Sequence, residues 1–189
     1  MSTYAGTDNC TDIILDFIAG GAWGDELGNP IGESNGNYDA YFGRIVGPHI
    51  FETYTLDQIY VFQAQMLRRD PRSTAIGRYQ FLRRTLQALQ QKRGLPGSTL
   101  FTHRLQDEFA VDLLIGRGYP AWWRGQLSDP EFAHNLALEW ASLPDPRNYG
   151  KSAYDGDSAG NHASVALDKL GPDNDVYDML RRARAARPS

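Results

Sequence analysis

Apolar residues recur at helical spacing along most of this 189-residue chain, and the rhythm fails over one long stretch, residues 24–54. Ile13, Ile14, Phe17 and Ile18 fall on one side of a helix that Thr11 can cap and that the Gly20-Gly21 pair ends. Thr55 and Gln58 stand three apart as a capping box ahead of Leu56, Ile59, Phe62, Met66 and Leu67, which predicts a helix over about 55–69, stopped by Pro71. Phe81, Leu82, Thr85, Leu86 and Leu89 predict a third over about 78–93, closed by Gly94 and Pro96. Thr102 opens a fourth that ends at Gly116 and Gly118. Asp129 and Pro130 open a fifth, in which Phe132, Leu136 and Trp140 recur until Pro144. Two weaker helices are expected around 162–170 and 174–186. The irregular stretch is rich in Gly, Asn and aromatic residues, and Tyr41 to Phe51 can supply a short hairpin or two ragged strands.

These segments predict a mainly α fold of α+β type: a helical domain with a short irregular β-hairpin and loop region near its active-site cleft. Length allows one compact core, and no repeat or linker divides residues 1–189, so a single domain is expected. Function is expected in the irregular stretch, because long loops in compact domains are usually binding or catalytic.

The chain is 41% hydrophobic and 22% charged, ordinary for a folded, water-soluble protein. A net charge of -4 removes the drive to neutralise phosphates, so nucleic acid is not an expected partner. Cys10 is the only cysteine and excludes an intrachain disulfide, which fits synthesis in the cytoplasm. The most apolar early stretch, Ile13 to Trp23, contains Asp16, lacks a basic lead-in and is too short to span a bilayer or serve as an export signal.

Three segments can carry chemistry. In Gly32-Glu33-Ser34-Asn35-Gly36-Asn37-Tyr38-Asp39 an acid sits among residues too small to cover it. Breaking a glycosidic bond needs a carboxylic acid that keeps its proton until it can give it to the leaving oxygen. Alone, Glu33 is a weak signal, since a Glu in a Gly/Asn loop is more often an ordinary solvated residue. In Ser73-Thr74-Ala75-Ile76-Gly77-Arg78-Tyr79-Gln80-Phe81, Gly77 permits close approach, while Arg78, Tyr79 and Gln80 offer donors and a flat ring that suit a sugar. The bland reading is a glycine helix entry followed by chance polar residues. The third segment runs from Glu139-Trp140-Ala141-Ser142-Leu143-Pro144 to Asn148-Tyr149-Gly150. There Trp140 lies on the inward stripe, and Tyr149 is the better sugar-facing ring.

In this order, the acid with its small residues, Tyr38-Asp39, Phe42-Gly43, Gly77-Arg78-Tyr79-Gln80, Leu105-Gln106-Asp107, Arg117-Gly118, Trp140-Ala141-Ser142-Leu143-Pro144 and Tyr149-Gly150 resemble the lambda-type phage endolysins. These form the lytic transglycosylase branch of the lysozyme superfamily, and the resemblance covers about residues 12–151. It implies a lysozyme-like fold, cleavage of the β-1,4 bond between N-acetylmuramic acid and N-acetylglucosamine, and one essential Glu, carried over to Glu33. Ser34, Tyr38, Ser73, Arg78, Tyr79, Gln80 and Tyr149 are the expected substrate-binding residues. No metal or organic cofactor is implied. One departure stands at the acid: in the family it closes the first helix, whereas here Gly20 to Ile31 intervene and include Asp25 and a rival, Glu26.

If the nucleophile is the muramic acid's own 6-hydroxyl, the product is a 1,6-anhydro sugar and no second carboxylate is required. If it is water, a partner acid is expected, and Asp39 is the nearby candidate, with a turn residue as its alternative reading. His49, His103, His134 and His162 lie far apart without metal-ligand spacing. A non-catalytic glycan-binding or virion structural module is the reading from another class. The expected partners are the glycan strands of peptidoglycan and a separate membrane pore. The protein is expected as a monomer, held in the host cytoplasm until the pore admits it to the cell wall in the periplasm. Arg181, Arg182, Arg184 and Arg187 of the last helix read either as a dock for anionic envelope polymers or as a solvated face.

Overall fold

The computed structural model describes residues 9–20, 32–42, 45–156, 163–164 and 175–187. They contain helices α1 (Asn9–Ala19), α2 (Leu56–Arg69), α3 (Arg83–Lys92), α4 (His103–Gly116), α5 (Tyr119–Trp123), α6 (Asp129–Ala137) and α7 (Val176–Ala185). Between α1 and α2 lies an antiparallel hairpin of β1 (Ala40–Tyr41) and β2 (Ile45–Val46), with Ala40 opposite Val46. The fold is mainly helical with a small sheet, consistent with the expected lysozyme-like class. No helix among the described residues is long and apolar enough to cross a membrane.

Helix α1 runs through the core, with Ile14, Leu15 and Ile18 inaccessible to solvent, and it packs on α4 and α7. Burying each such side chain contributes about 1.5–3 kcal/mol. Helix α7 answers with Val176, Met179, Leu180 and Ala183. Trp122 of α5 stacks on Phe132 of α6 at 4.9 Å and donates its indole N–H to Asp129.

The Thr55–Gln58 capping box and the Thr102 cap form as the sequence predicts. Other boundaries move for identifiable reasons. Helix α1 begins at Asn9, so Thr11 lies inside it, with its hydroxyl 2.9 Å from that of Tyr119. Helix α3 begins at Arg83, because Gly77 (φ +78°) and Gln80 (φ +51°) are left-handed and Ile76 pairs with Phe81 in a tight turn. Helix α6 is capped by Ser128, one residue before Asp129, and stops at Ala137 short of Trp140. There the Leu138 carbonyl accepts from Tyr154 and Arg117 instead of a helical N–H. The short helix α5 has no counterpart in the expected elements. The helix expected at 162–170 lies almost wholly outside the described residues.

The arginines of α7 are largely engaged within the protein. Arg181 and Arg182 pair with Asp178, and Arg184 pairs with Asp129. The guanidiniums of Arg184 and Arg187 lie over Trp122, 4.7 and 4.9 Å from its centroid. They close the core as cation–π lids and leave little of a free basic dock.

Candidate active site

The end of α1 and the loop carrying Glu33 are joined through the backbone. A helix leaves its last carbonyls without intrahelical donors. Here Ile18 O accepts from Glu33 N at 2.9 Å, and Ala19 O accepts from Ser34 N at 3.2 Å and Gly36 N at 2.9 Å. Glu33 therefore closes the first helix in space, although Gly20 to Ile31 separate the two in sequence. Gly32 makes the approach possible: its φ is +76°, and a Cβ there would lie 2.5 Å from the Gly20 nitrogen. Its rival Glu26 lies outside the described residues.

The half-buried Glu33 carboxylate meets the third motif. Its Oε1 accepts from the Ser142 backbone N–H at 3.1 Å, within Trp140-Ala141-Ser142-Leu143-Pro144. Ser164 ties the two segments together, accepting from Gly32 N at 3.0 Å while its own N–H donates to Ser142 O at 2.8 Å. Trp140 is core, 2% exposed. Beyond it the chain turns back through a Pro144–Ser152 bridge, and the buried Asp145 holds the loop by accepting from Arg147 N and contacting His134 Nδ1 at 2.8 Å. Tyr149 stands at the tip of this loop in a left-handed conformation, 97% exposed.

The middle motif faces inward. Arg78 donates through Nη2 to Asp16 of α1 at 2.5 Å and through Nη1 to the Tyr38 hydroxyl at 2.8 Å. Tyr38 donates to Asp107 at 2.9 Å, and the Tyr79 hydroxyl donates to the same carboxylate at 2.8 Å. Arg78 and Tyr79 are 4% and 2% exposed, so the ring expected against a sugar offers it no face. The Gln80 amide donates to Gly77 O, and the buried Ser34 hydroxyl donates to Arg78 O at 2.6 Å. His103 stacks on the Tyr38 ring at 4.1 Å. Thus Ser34, Arg78, Tyr79 and Gln80, all buried, and the half-buried Tyr38, expected to bind substrate, form a scaffold that links α1, the Glu33 loop, the 76–81 turn and α4. For Arg78, Tyr79 and Gln80 the geometric reason is the turn itself, which replaces the helix face expected there.

Of the remaining candidates, the partly buried Ser73 caps the turn by accepting from Ala75 N. Asp39 holds the hairpin base by accepting from Phe51 N at 2.7 Å. The Ser142 N–H, Ser164, Asp16 and Asp107 are absent from the sequence-derived site. Asp107 was visible within Leu105-Gln106-Asp107, but nothing local marks it as the acceptor for two tyrosines. Among the described residues no group of three or more His, Cys, Asp or Glu side chains is placed to hold a metal ion.

Burial pushes the Asp107 carboxyl up to about 6, against the pull of the Tyr79 and Tyr38 hydroxyls and Arg78, and burial raises Asp16 as well. The native state thus holds the Asp107 proton more tightly than an unfolded chain, whose carboxyl titrates at 3.8. That contribution to stability is complete below the unfolded value and is lost as pH rises through the folded one. Urea unfolding should show wild-type stability falling relative to Asp107→Asn between about pH 4 and 6.5, by at most about 3 kcal/mol. Parallel pH profiles for the two proteins would contradict the assignment.

No curated protein and no solved structure matches the chain significantly. The profile of the endolysin family matches residues 15–161, a span that holds the α1–Glu33 junction, the Arg78 scaffold and the Ser142 contact. The chain belongs to the endolysin family, and is a phage enzyme that degrades the peptidoglycan of the bacterial cell wall.

Proposed function

We propose that the chain cleaves the β-1,4 bond between N-acetylmuramic acid and N-acetylglucosamine as a lambda-type lytic transglycosylase, with Glu33 as acid and then base. The observation that carries this reading is the attachment of Glu33 to the end of α1, with its carboxylate against the Ser142 N–H. Protonated Glu33 gives its proton to the bridging oxygen as positive charge grows on the anomeric carbon. Once deprotonated, Glu33 takes the proton of the muramic acid 6-hydroxyl as that oxygen closes on the anomeric carbon.

Asp39 bears on the choice of nucleophile. A hydrolase needs a second carboxylate to activate water. The Asp39 carboxylate is engaged at the hairpin base by Phe51 N, which favours a structural role and supports transglycosylation. Ser34, Tyr38, Arg78, Tyr79 and Gln80 act as positioning residues, and the exposed Tyr149 is the ring we assign to the sugar. Release to the wall through a separate membrane pore completes the reading.

Mass spectrometry of digested peptidoglycan tests it. The expected muropeptides are anhydro species, each lighter by one water than its hydrolytic counterpart. Reducing muramic acid ends throughout would instead establish muramidase hydrolysis and return Asp39 to the role of partner.

A further inference from the structure

The exposed side of the hairpin carries a cavity of about 270 Å³ that the reaction above does not use. Phe62 and Met66 of α2 line one side, and Tyr41, Phe42 and His49 line the other. The aromatic walls are built: His49 lies 4.7 Å from the Phe62 ring, and its Nδ1 is 3.0 Å from the Tyr54 hydroxyl. Phe42 holds φ +54°, a costly backbone for a bulky residue, and such outliers persist where surrounding structure fixes them. The Arg72 guanidinium lies 6.0 Å from the Phe42 ring centroid.

The rim is basic in an acidic protein. Arg69 and Arg72 border the cavity with Asp70, and Arg68 precedes them at the end of α2. Arg72 is paired with Asp70, and among the described residues the exposed Arg69 has no ion-pair partner beside the apolar cavity. The cavity is tied to the Glu33 loop through one short segment: the Ser34 hydroxyl donates to Arg78 O, and Phe42 N donates to Ala75 O at 3.0 Å.

We propose that this cavity is a subsite for the stem peptide that peptidoglycan carries on its muramic acid. Methyl and methylene groups of the peptide would pack on Phe62 and Met66, and its carboxylates would meet Arg69 and compete with Asp70 for the Arg72 guanidinium. The size suits a dipeptide-sized piece, being close to the lower end of small-ligand pockets at about 300 Å³. The charge selects an anionic occupant, and the peptide is the anionic part of the polymer on which the family acts. The inference rests on the cleavage proposed above, so its test is arranged to separate the two.

Cleavage is measured on peptidoglycan strands with stem peptides intact and on strands stripped by an amidase. Wild type should show a KM about tenfold lower on the peptide-bearing strands, equivalent to about 1.4 kcal/mol. The Arg69→Ala/Arg72→Ala protein should bring the two substrates within about twofold, with kcat unchanged. Wild type indifferent to the peptides, or a double variant that keeps the preference, overturns the subsite. In parallel, Glu33→Gln protein is titrated with the free stem tetrapeptide by NMR. Shifts confined to the cavity and lost with the two arginines support the proposal, and their absence overturns it. That arm needs no cleavage, so it decides the subsite even if the glycosidase reading fails on both substrates. Arginine-dependent sedimentation with phosphatidylglycerol vesicles, without peptide preference, would reassign the face to membrane and overturn the proposal.

Discussion

Glu33→Gln is expected to remove wall-lytic activity, by at least about a thousandfold in turbidity loss on purified peptidoglycan, while leaving the melting temperature near that of wild type. Glutamine keeps an oxygen for the Ser142 N–H, and the links from residues 33, 34 and 36 to Ile18 and Ala19 are backbone bonds that the substitution does not touch. What it removes is the transferable proton, and with it both the acid and the base step. Binding to insoluble peptidoglycan should persist, which separates the enzyme from a non-catalytic glycan-binding module. A fully active variant would transfer the role to Glu26, and Glu26→Gln would then be the inactive protein.

The second large effect concerns stability. Arg78→Met should lower the unfolding free energy by about 3–5 kcal/mol, the usual consequence of taking one partner from a buried ion pair. Methionine fills part of the volume but removes the guanidinium that bridges Asp16 and the Tyr38–Asp107 pair. For a chain of this size the melting temperature should fall by about 10 °C. Arg78→Lys should recover little, because two separate nitrogens of one guanidinium reach Asp16 and Tyr38, a fork that an ammonium lacks. A loss below about 1 kcal/mol would mean that the scaffold behaves like a surface pair, against its burial.

Much of the fold was legible because its signals are local. A capping box needs only residues 55 and 58, and Thr102 needs only the three residues after it, so both helix starts fall where expected. The turn at 76–82 was not legible as a turn, since the apolar spacing around Phe81 and Leu86 fits a longer helix equally well. What breaks it is distant: Gln106 of α4 packs against Gly77 and accepts from Arg78 N at 2.9 Å. The candidate site divides in the same way. The order of the motifs was readable, but whether Arg78 and Tyr79 serve a sugar or the interior depends on Asp16 and Asp107, tens of residues away. Donors and rings look alike in sequence whichever partner takes them.

The junction between α1 and Glu33 bears on how the proposed catalytic centre tolerates change. Gly20 and Gly32 meet backbone to backbone, so the chain between them leaves and returns at nearly one point. The acid's address is therefore set by the carbonyls of Ile18 and Ala19 and not by the residue count before it. With Glu33 as the proposed proton donor, its placement rests on backbone bonds and on the missing side chain at Gly32, so a substitution at Gly32 displaces the acid without touching it.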